Sequence, residues 1–162
     1  MLTPEWMEAL LEDRRDELPF HVPADWPDRH DAGFLALRLR QSREDASRAQ
    51  WYVRAVVLDG EMIGHAGFHG PPGVNARRDP DAVEVGYTIF EPYRGRGLAT
   101  EAVRSLIGWA EVRGVRRVVA SVSPENAPSL AIVRKLGFVQ TGRHWDDEDG
   151  EELEFVLSAD GT

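Results

Sequence analysis

Residues 91–101 read Glu91, Pro92, Tyr93, Arg94, Gly95, Arg96, Gly97, Leu98, Ala99, Thr100 and Glu101. They join a β-rich run, Ala82 to Phe90, to a helical run from about Leu98 to Arg113. In that helical run Ala99, Ala102, Val103, Leu106, Ile107 and Ala110 keep the i, i+3, i+4, i+7 spacing, and Gly114 follows as a stop. A strand that turns through glycines into an amphipathic helix demands an α/β or α+β domain, because both elements need a partner layer for their apolar faces. Such a junction also points orphan backbone N–H groups outward, and the helix dipole favours an anion there. Gly95 and Gly97 let a ligand approach the backbone, and Arg94 and Arg96 add cationic donors. Together these parts suit a diphosphate.

The rest of the chain supplies the layers. Thr3, Pro4 and Glu5 predict a helix start, with Trp6, Met7, Leu10 and Leu11 on one face. Pro19 to Pro27 predicts irregular structure, and a second helix is expected from Asp31 to about Ser42. Trp51 to Leu58 and Met62 to Phe68 read as strands. Asp59 and Gly60 between them predict a two-residue hairpin turn with positive φ at both positions. Gly70 to Pro80 reads as a loop, Val115 to Val122 as a fourth strand, and Asn126 to Leu136 as a short helix ended by Gly137. Phe138 to Trp145 and Glu151 to Leu157 predict a closing strand pair around the acidic tip Asp146 to Gly150. The expected fold is a mixed, mostly antiparallel sheet flanked by helices.

At 162 residues, with no composition break or repeat, the chain reads as a single domain over 1–162. The absence of cysteine excludes disulfides, thiolate nucleophiles and Cys-ligated zinc. A net charge of −9 argues against a general nucleic-acid binder, which must neutralise phosphates. No apolar run approaches the ~20 residues of a membrane span. Met1 is followed by Leu2, Thr3, Pro4 and Glu5 without a basic stretch. The expectation is a cytoplasmic protein, monomer or homodimer, with no membrane or nucleic-acid partner.

Two common diphosphate motifs fit the turn poorly. A P-loop needs Lys followed by Ser or Thr after its last glycine, and neither stands there. A dinucleotide fingerprint needs a third glycine where this chain has Thr100, and an acidic residue about 20 positions on, where it has Arg116 and Arg117.

The turn instead resembles the acetyl-CoA-binding motif of the GNAT N-acetyltransferase superfamily, Arg/Gln-x-x-Gly-x-Gly/Ala, matched by Arg94, Gly97 and Ala99. Asn126 to Ser129 and Lys135 to Phe138 are similar to the Asn-x-x-Ser and Lys-Leu-Gly-Phe segments of the ribosomal-protein acetyltransferase-like (RimJ/RimL-like) branch. Val83 to Tyr87 resembles the strand before the turn. The likeness covers about Trp51 to Leu157. It implies the GNAT fold, with the sheet splayed between its fourth and fifth strands, and acetyl-CoA as co-substrate without a metal. It further implies that Ile89 and Phe90 offer backbone groups to pantetheine. Arg94, Gly95, Arg96, Gly97, Leu98, Ala99 and Thr100 would border the cofactor, and Asn126 would reach the pantetheine arm. The family begins with a strand before its first helix; this chain reads as starting on a helix, so that strand is expected to be missing or replaced.

Direct attack of an amine on a thioester needs a base, and the resemblance points to Glu84, with His69 or an ordered water chain as the competitors. An exposed strand glutamate is the alternative for Glu84. A helix cap is the alternative for Asn126. Many relatives use a tyrosine to reprotonate the thiolate; Val133 stands there, leaving Ser129 as the nearest hydroxyl. His65 and His69 sit four apart, ~13 Å along a strand, too far to share a metal. His69, nearer the loop, is a substrate-cleft candidate, and His65 a packed or hairpin residue. The acidic tip would attract a cationic amine if it rims the cleft. The expected function is acetyl transfer from acetyl-CoA to a primary amine on a small molecule or protein. The rivals are a CoA-binding regulatory module without turnover and a nucleotide-binding interaction domain.

Overall fold

Thr3 starts the first helix: its Oγ1 accepts from the Trp6 amide at 3.3 Å, and Pro4 opens α1, Pro4–Leu11. Asp28 does the same for α2, Arg29–Glu44, accepting from the Asp31 amide at 2.9 Å. That cap sets the second helix two residues earlier than its apolar spacing suggests. The computed structural model describes residues 1–147 and 150–158.

The expected strand from Trp51 begins only at Arg54. Asp45 accepts from the Ser47 amide at 3.0 Å and winds Ala46–Trp51 into tight 3-10 turns. Trp51, Tyr52 and Val53 are buried there as core residues without joining the ladder. β1, Arg54–Leu58, then pairs antiparallel with β2, Glu61–Phe68. The turn between them has φ of 52° at Asp59 and 84° at Gly60, the positive pair a two-residue hairpin requires.

The remaining elements are β3 (Ala82–Ile89), α3 (Leu98–Glu111), β4 (Arg117–Val122), α4 (Ala127–Lys135), β5 (Val139–Asp146) and β6 (Gly150–Ser158). The strand order is β1-β2-β3-β4-β6-β5. β3 and β4 run parallel, while β4–β6 and β5–β6 are antiparallel. The parallel ladder is short: Ala82, Val83 and Glu84 face Arg117, Val118 and Val119, and no register pair follows. β3 nevertheless continues to Ile89 and β4 to Val122. Because α1 precedes the first strand, β3 and β4 are the counterparts of the fourth and fifth family strands. The parallel ladder thus stops between the two strands where the resemblance implies the splay.

The chain divides into two compact units. The first comprises Met1–Gly67 with Tyr87–Arg94. Its core joins α1 and α2 through Met7, Leu10, Leu35 and Leu39, with Trp26, Val53 and Met62 packed in. The second comprises Phe68–Gly86 and the chain from Gly95 onward. There α3 buries Val103, Leu106, Ile107 and Ala110 on one stripe, and Val118, Val119, Ala120, Val133 and Phe155 are buried. Removing a buried ring such as Phe155 typically costs about 3–5 kcal/mol. No described helix is long and apolar enough to cross a membrane.

Candidate active site

Glu84 is the third residue of β3 and the last in the parallel ladder. Its side chain is 4% exposed, yet both carboxylate oxygens have donors. Ser121 on β4 donates its hydroxyl to Oε1 at 2.7 Å, and the Ala76 amide donates to Oε2 at 2.6 Å. The alternative of a solvated strand glutamate is therefore not what the structure holds. Ala76 is aimed by its own loop. Asn75 Nδ2 donates to the carbonyls of Asp79 and Ala82 at 2.8 and 2.9 Å, and Asn75 Oδ1 accepts from the Asp79 amide at 3.0 Å. Arg117 on β4 holds Asp79 through two bonds of 2.6 and 2.8 Å. That guanidinium keeps the Asp79 carboxyl below the usual carboxylate range.

His69 follows β2 directly. Its amide donates to the Glu84 carbonyl at 2.8 Å, and its imidazole Nδ1 lies 3.7 Å from Glu84 Oε2. The ring lies over Gly86, where a Cβ would come within 3.3 Å of Nε2. Glycine at 86 thus leaves the space the imidazole occupies. Beyond the loop, Arg77 donates to Glu154 on β6 and to Thr141 Oγ1 on β5, and Thr141 donates to Glu154 Oε1 at 2.8 Å.

The start of α3 differs from the other three helix starts among the described residues. Thr3, Asp28 and Asn126 each cap a helix with a side-chain oxygen, but Gly97 offers none. Gly95 and Gly97 hold φ of 75° and 79°, the left-handed region that side chains avoid. Nothing lies within 4 Å of where a Cβ would stand on either residue. First-turn amides without a side-chain cap are what an anionic ligand needs. Arg96 is exposed, while Thr100 is buried and packs inward, so it has only its amide to offer.

Asn126 caps α4: its Oδ1 accepts from the Ser129 amide at 3.1 Å. The residue is exposed, which leaves its amide nitrogen as a donor. Ser129 is half-buried one turn on, and Val133 is fully buried. In the first unit, the backbone groups of Phe90 are engaged: its amide donates to Ile63 and its carbonyl accepts from Tyr93, both at 2.9 Å. Alternation along the strand turns the Ile89 groups the other way, and Arg94 Nε donates to the Ile89 carbonyl at 2.8 Å. The two residues that the resemblance sets against pantetheine thus differ, and Ile89 is the one whose groups face away from β2.

His65 is packed. It stacks between Trp26 and Phe34, with ring centroids 5.7 and 5.8 Å away, and Nε2 is 3.6 Å from Asp31 Oδ1. Burial holds its imidazole below the ordinary range, against the opposing pull of Asp31. The acidic tip includes Glu148 and Asp149, which lie outside the described residues. Among the described residues no cluster could hold a metal. Sequence reading passed over Ser121, Gly86 and the Asn75–Ala76–Arg77 loop. Ser121 is the lone hydroxyl in the run Val118 to Val122, and Gly86 shares a strand face with Glu84; both signals were there.

A model of the acetyltransferase (GNAT) domain matches residues 3–139, which takes in α1 through the start of β5. This chain belongs to the GNAT family. Mycothiol acetyltransferase of Corynebacterium glutamicum (strain R) is 34% identical over 117 residues, 69% of this chain and 36% of that protein. The L-methionine sulfoximine/L-methionine sulfone acetyltransferase of Pseudomonas paraeruginosa is 31% identical over 106 residues, 64% of this chain and 60% of that protein. This GNAT chain therefore spans less than two thirds of the length of either relative. Mycobacterium smegmatis RimJ, solved in complex with CoA-disulfide, shares the fold. Its TM-score is 0.65 at 24% identity, over 96% of this chain and 77% of that one.

Proposed function

We propose that this GNAT domain transfers the acetyl group of acetyl-CoA to a primary amine. The observation that carries the reading is the start of α3: an uncapped helix whose two preceding glycines hold positive φ beside open space. Acetyl-CoA brings the activated thioester. The amides from Gly95 to Ala99, with that of Thr100, hold its diphosphate, and Arg94 and Arg96 add charge. Ile89 on β3 pairs with the pantetheine arm, and Asn126 donates to it through its free amide. Holding the reactants in place is worth several kcal/mol of barrier. Proton removal from the amine draws on Glu84 and the His69 beside it. Ser129 hydrogen-bonds the departing sulfur.

The acceptor is an amine on a small molecule or a protein. The names of the relatives argue for breadth across the family, since one acts in mycothiol chemistry and another on amino-acid derivatives.

The test is release of CoA thiol from acetyl-CoA with a panel of amines: spermidine, L-methionine sulfone and a peptide with a free N-terminal alanine. Amine-dependent release supports the reading. Tight CoA binding with no release from any amine would make the chain a binding module. Equal thermal protection by ATP and by CoA would make it a nucleotide-binding domain.

A further inference from the structure

We infer that Ser121 is a positioning residue for acetyl transfer: with the Ala76 amide, its hydroxyl fixes the Glu84 carboxylate in one place and one orientation. The inference rests on the acetyl-transfer reading above and adds to it the parts that hold Glu84.

The sheet puts the two side chains on one face. Glu84 and Val119 are the last register pair of the parallel ladder, and Ser121 stands two residues on. Side chains two apart on a strand share a face, so Ser121 lies on the Glu84 side, just past the last rung. There its hydroxyl donates to Oε1 at 2.7 Å. Its neighbours Val118, Val119, Ala120 and Val122 are all buried and apolar, so the hydroxyl is the exception in its strand.

The second donor comes from the other side. The Ala76 amide reaches Oε2 at 2.6 Å. Asn75 folds that loop by donating to the carbonyls of Asp79 and Ala82 and accepting from the Asp79 amide. Arg117 on β4 holds Asp79 by two bonds. A strand and a loop far apart in sequence thus converge on one carboxylate. The Nδ1 of His69 is 3.7 Å from Oε2, too long for a hydrogen bond. Other charges around the loop are matched among themselves: Arg77 with Glu154 on β6, and Asp81 with Arg117 on β4.

Stability is a poor reason for this arrangement. Glu84 is 4% exposed, and taking a carboxylate out of water is costly, whereas an apolar residue in such a place is often neutral or stabilising. The two bonds hold one arrangement of a side chain that otherwise has several rotatable bonds. Each oxygen takes one donor, and a carboxylate offers about four acceptor positions, so capacity remains for an ammonium group or for water that carries its proton. Placement matters at this scale, because a shift of about 1 Å can cost about 100-fold in rate.

Ser121 forms and breaks no covalent bond. The nitrogen of a neutral amine bonds the acetyl carbon and loses one proton toward Glu84. The C–S bond breaks, and sulfur leaves with its electron pair. Sulfur takes a proton from solvent and Glu84 returns its own to solvent. The products are an N-acetyl amide and CoA, with no change of oxidation state.

The experiment is thiol release from acetyl-CoA by wild type, Ser121→Ala, Ser121→Thr, Glu84→Gln and the double variant Ser121→Ala with Glu84→Gln. Spermidine, L-methionine sulfone and the alanine peptide are the acceptors. Ser121→Ala is expected to lower kcat ~10-fold at an acetyl-CoA KM within ~2-fold of wild type, and Ser121→Thr, which keeps the hydroxyl, restores kcat to within ~3-fold. Glu84→Gln lowers kcat ~100-fold, and the double variant falls no further, because Ser121 acts through the carboxylate. Thermal unfolding checks that each variant is folded. Asn75→Ala is the independent variant and carries the test if Ser121→Ala does not fold: it loosens the Ala76 amide with no change on β4 and lowers kcat ~3-fold or more. Wild-type kcat in Ser121→Ala or in Asn75→Ala overturns the inference alone. So does a loss in Ser121→Ala that threonine fails to restore, or one that adds in full to that of Glu84→Gln. Wild-type kcat in Glu84→Gln overturns it too, since Ser121 would then position nothing that the step uses. Absence of release from the wild type with every amine overturns the acetyl-transfer reading and this inference with it.

Discussion

Of the three imidazole–carboxylate pairs among the described residues, two stand at nearly equal separation, 3.6 Å for His65 and Asp31 and 3.7 Å for His69 and Glu84, while His144 and Glu152 are 3.3 Å apart. His65 and His69 are four residues apart, but their settings are opposite. In the first unit the imidazole is the buried partner, 13% exposed and stacked between aromatic rings. In the second unit the carboxylate is buried and the imidazole half-exposed. Distance alone would rank these two pairs as equals. Burial separates them: a buried imidazole between rings is packing that tolerates a charge poorly, whereas a buried carboxylate with two donors is a charge the fold holds in place.

The largest effect should come from neutralising the buried carboxylate of the second pair. Glu84→Gln lowers kcat ~100-fold, and His65→Gln, measured beside it, changes kcat less than ~3-fold. Comparable losses in the two variants would erase the distinction. Next in size is stability. His65→Ala removes a ring packed against Trp26 and Phe34 and should cost about 2–3 kcal/mol in denaturant unfolding, while His69→Ala costs under about 1 kcal/mol.

A third effect is in pH. The folded imidazole of His65 lies below its unfolded value, so the unfolded chain takes up the proton first as pH falls. Stability from this group is full above the unfolded value of ~6.5 and is lost as pH falls below it toward the folded value. Melting temperature should therefore drop between pH 7 and pH 5.5, and His65→Gln should flatten that slope. The smallest effect concerns the loop that locks Glu84. Arg117→Ala releases Asp79 and should change stability by less than ~1 kcal/mol, since the guanidinium is 39% exposed. It should lower kcat a few-fold by loosening the Ala76 amide; unchanged kcat would remove the loop from the account.

Much of this was readable in the residues. Asp59 and Gly60 announced their turn because only a few residue types accept positive φ twice, and α3 announced itself by period. The splay came through resemblance, since no local pattern says where a parallel ladder stops. Other features had no local signal. Trp51 to Val53 is β-rich in composition, yet Asp45, outside that run, winds the preceding turns and withholds it from the ladder. The donors to Glu84 come from positions 76 and 121, which only the fold brings together. That the Phe90 amide donates to Ile63, while the Ile89 carbonyl accepts from Arg94, depended on which way each residue's groups turn, a matter of register. A single-residue error in register exchanges the two faces.

The central claim is that the glycine turn before α3 holds acetyl-CoA. Calorimetric titration of acetyl-CoA into the wild type and Gly97→Val tests it most directly. Valine at 97 must either hold a branched side chain at a φ of 79°, which side chains avoid, or leave that φ and shift the start of α3. The account predicts one site per chain in the wild type and at least ~100-fold weaker binding in the variant, with far-UV dichroism and unfolding still cooperative. Equal affinity in both folded proteins, or no binding by the wild type, would contradict it.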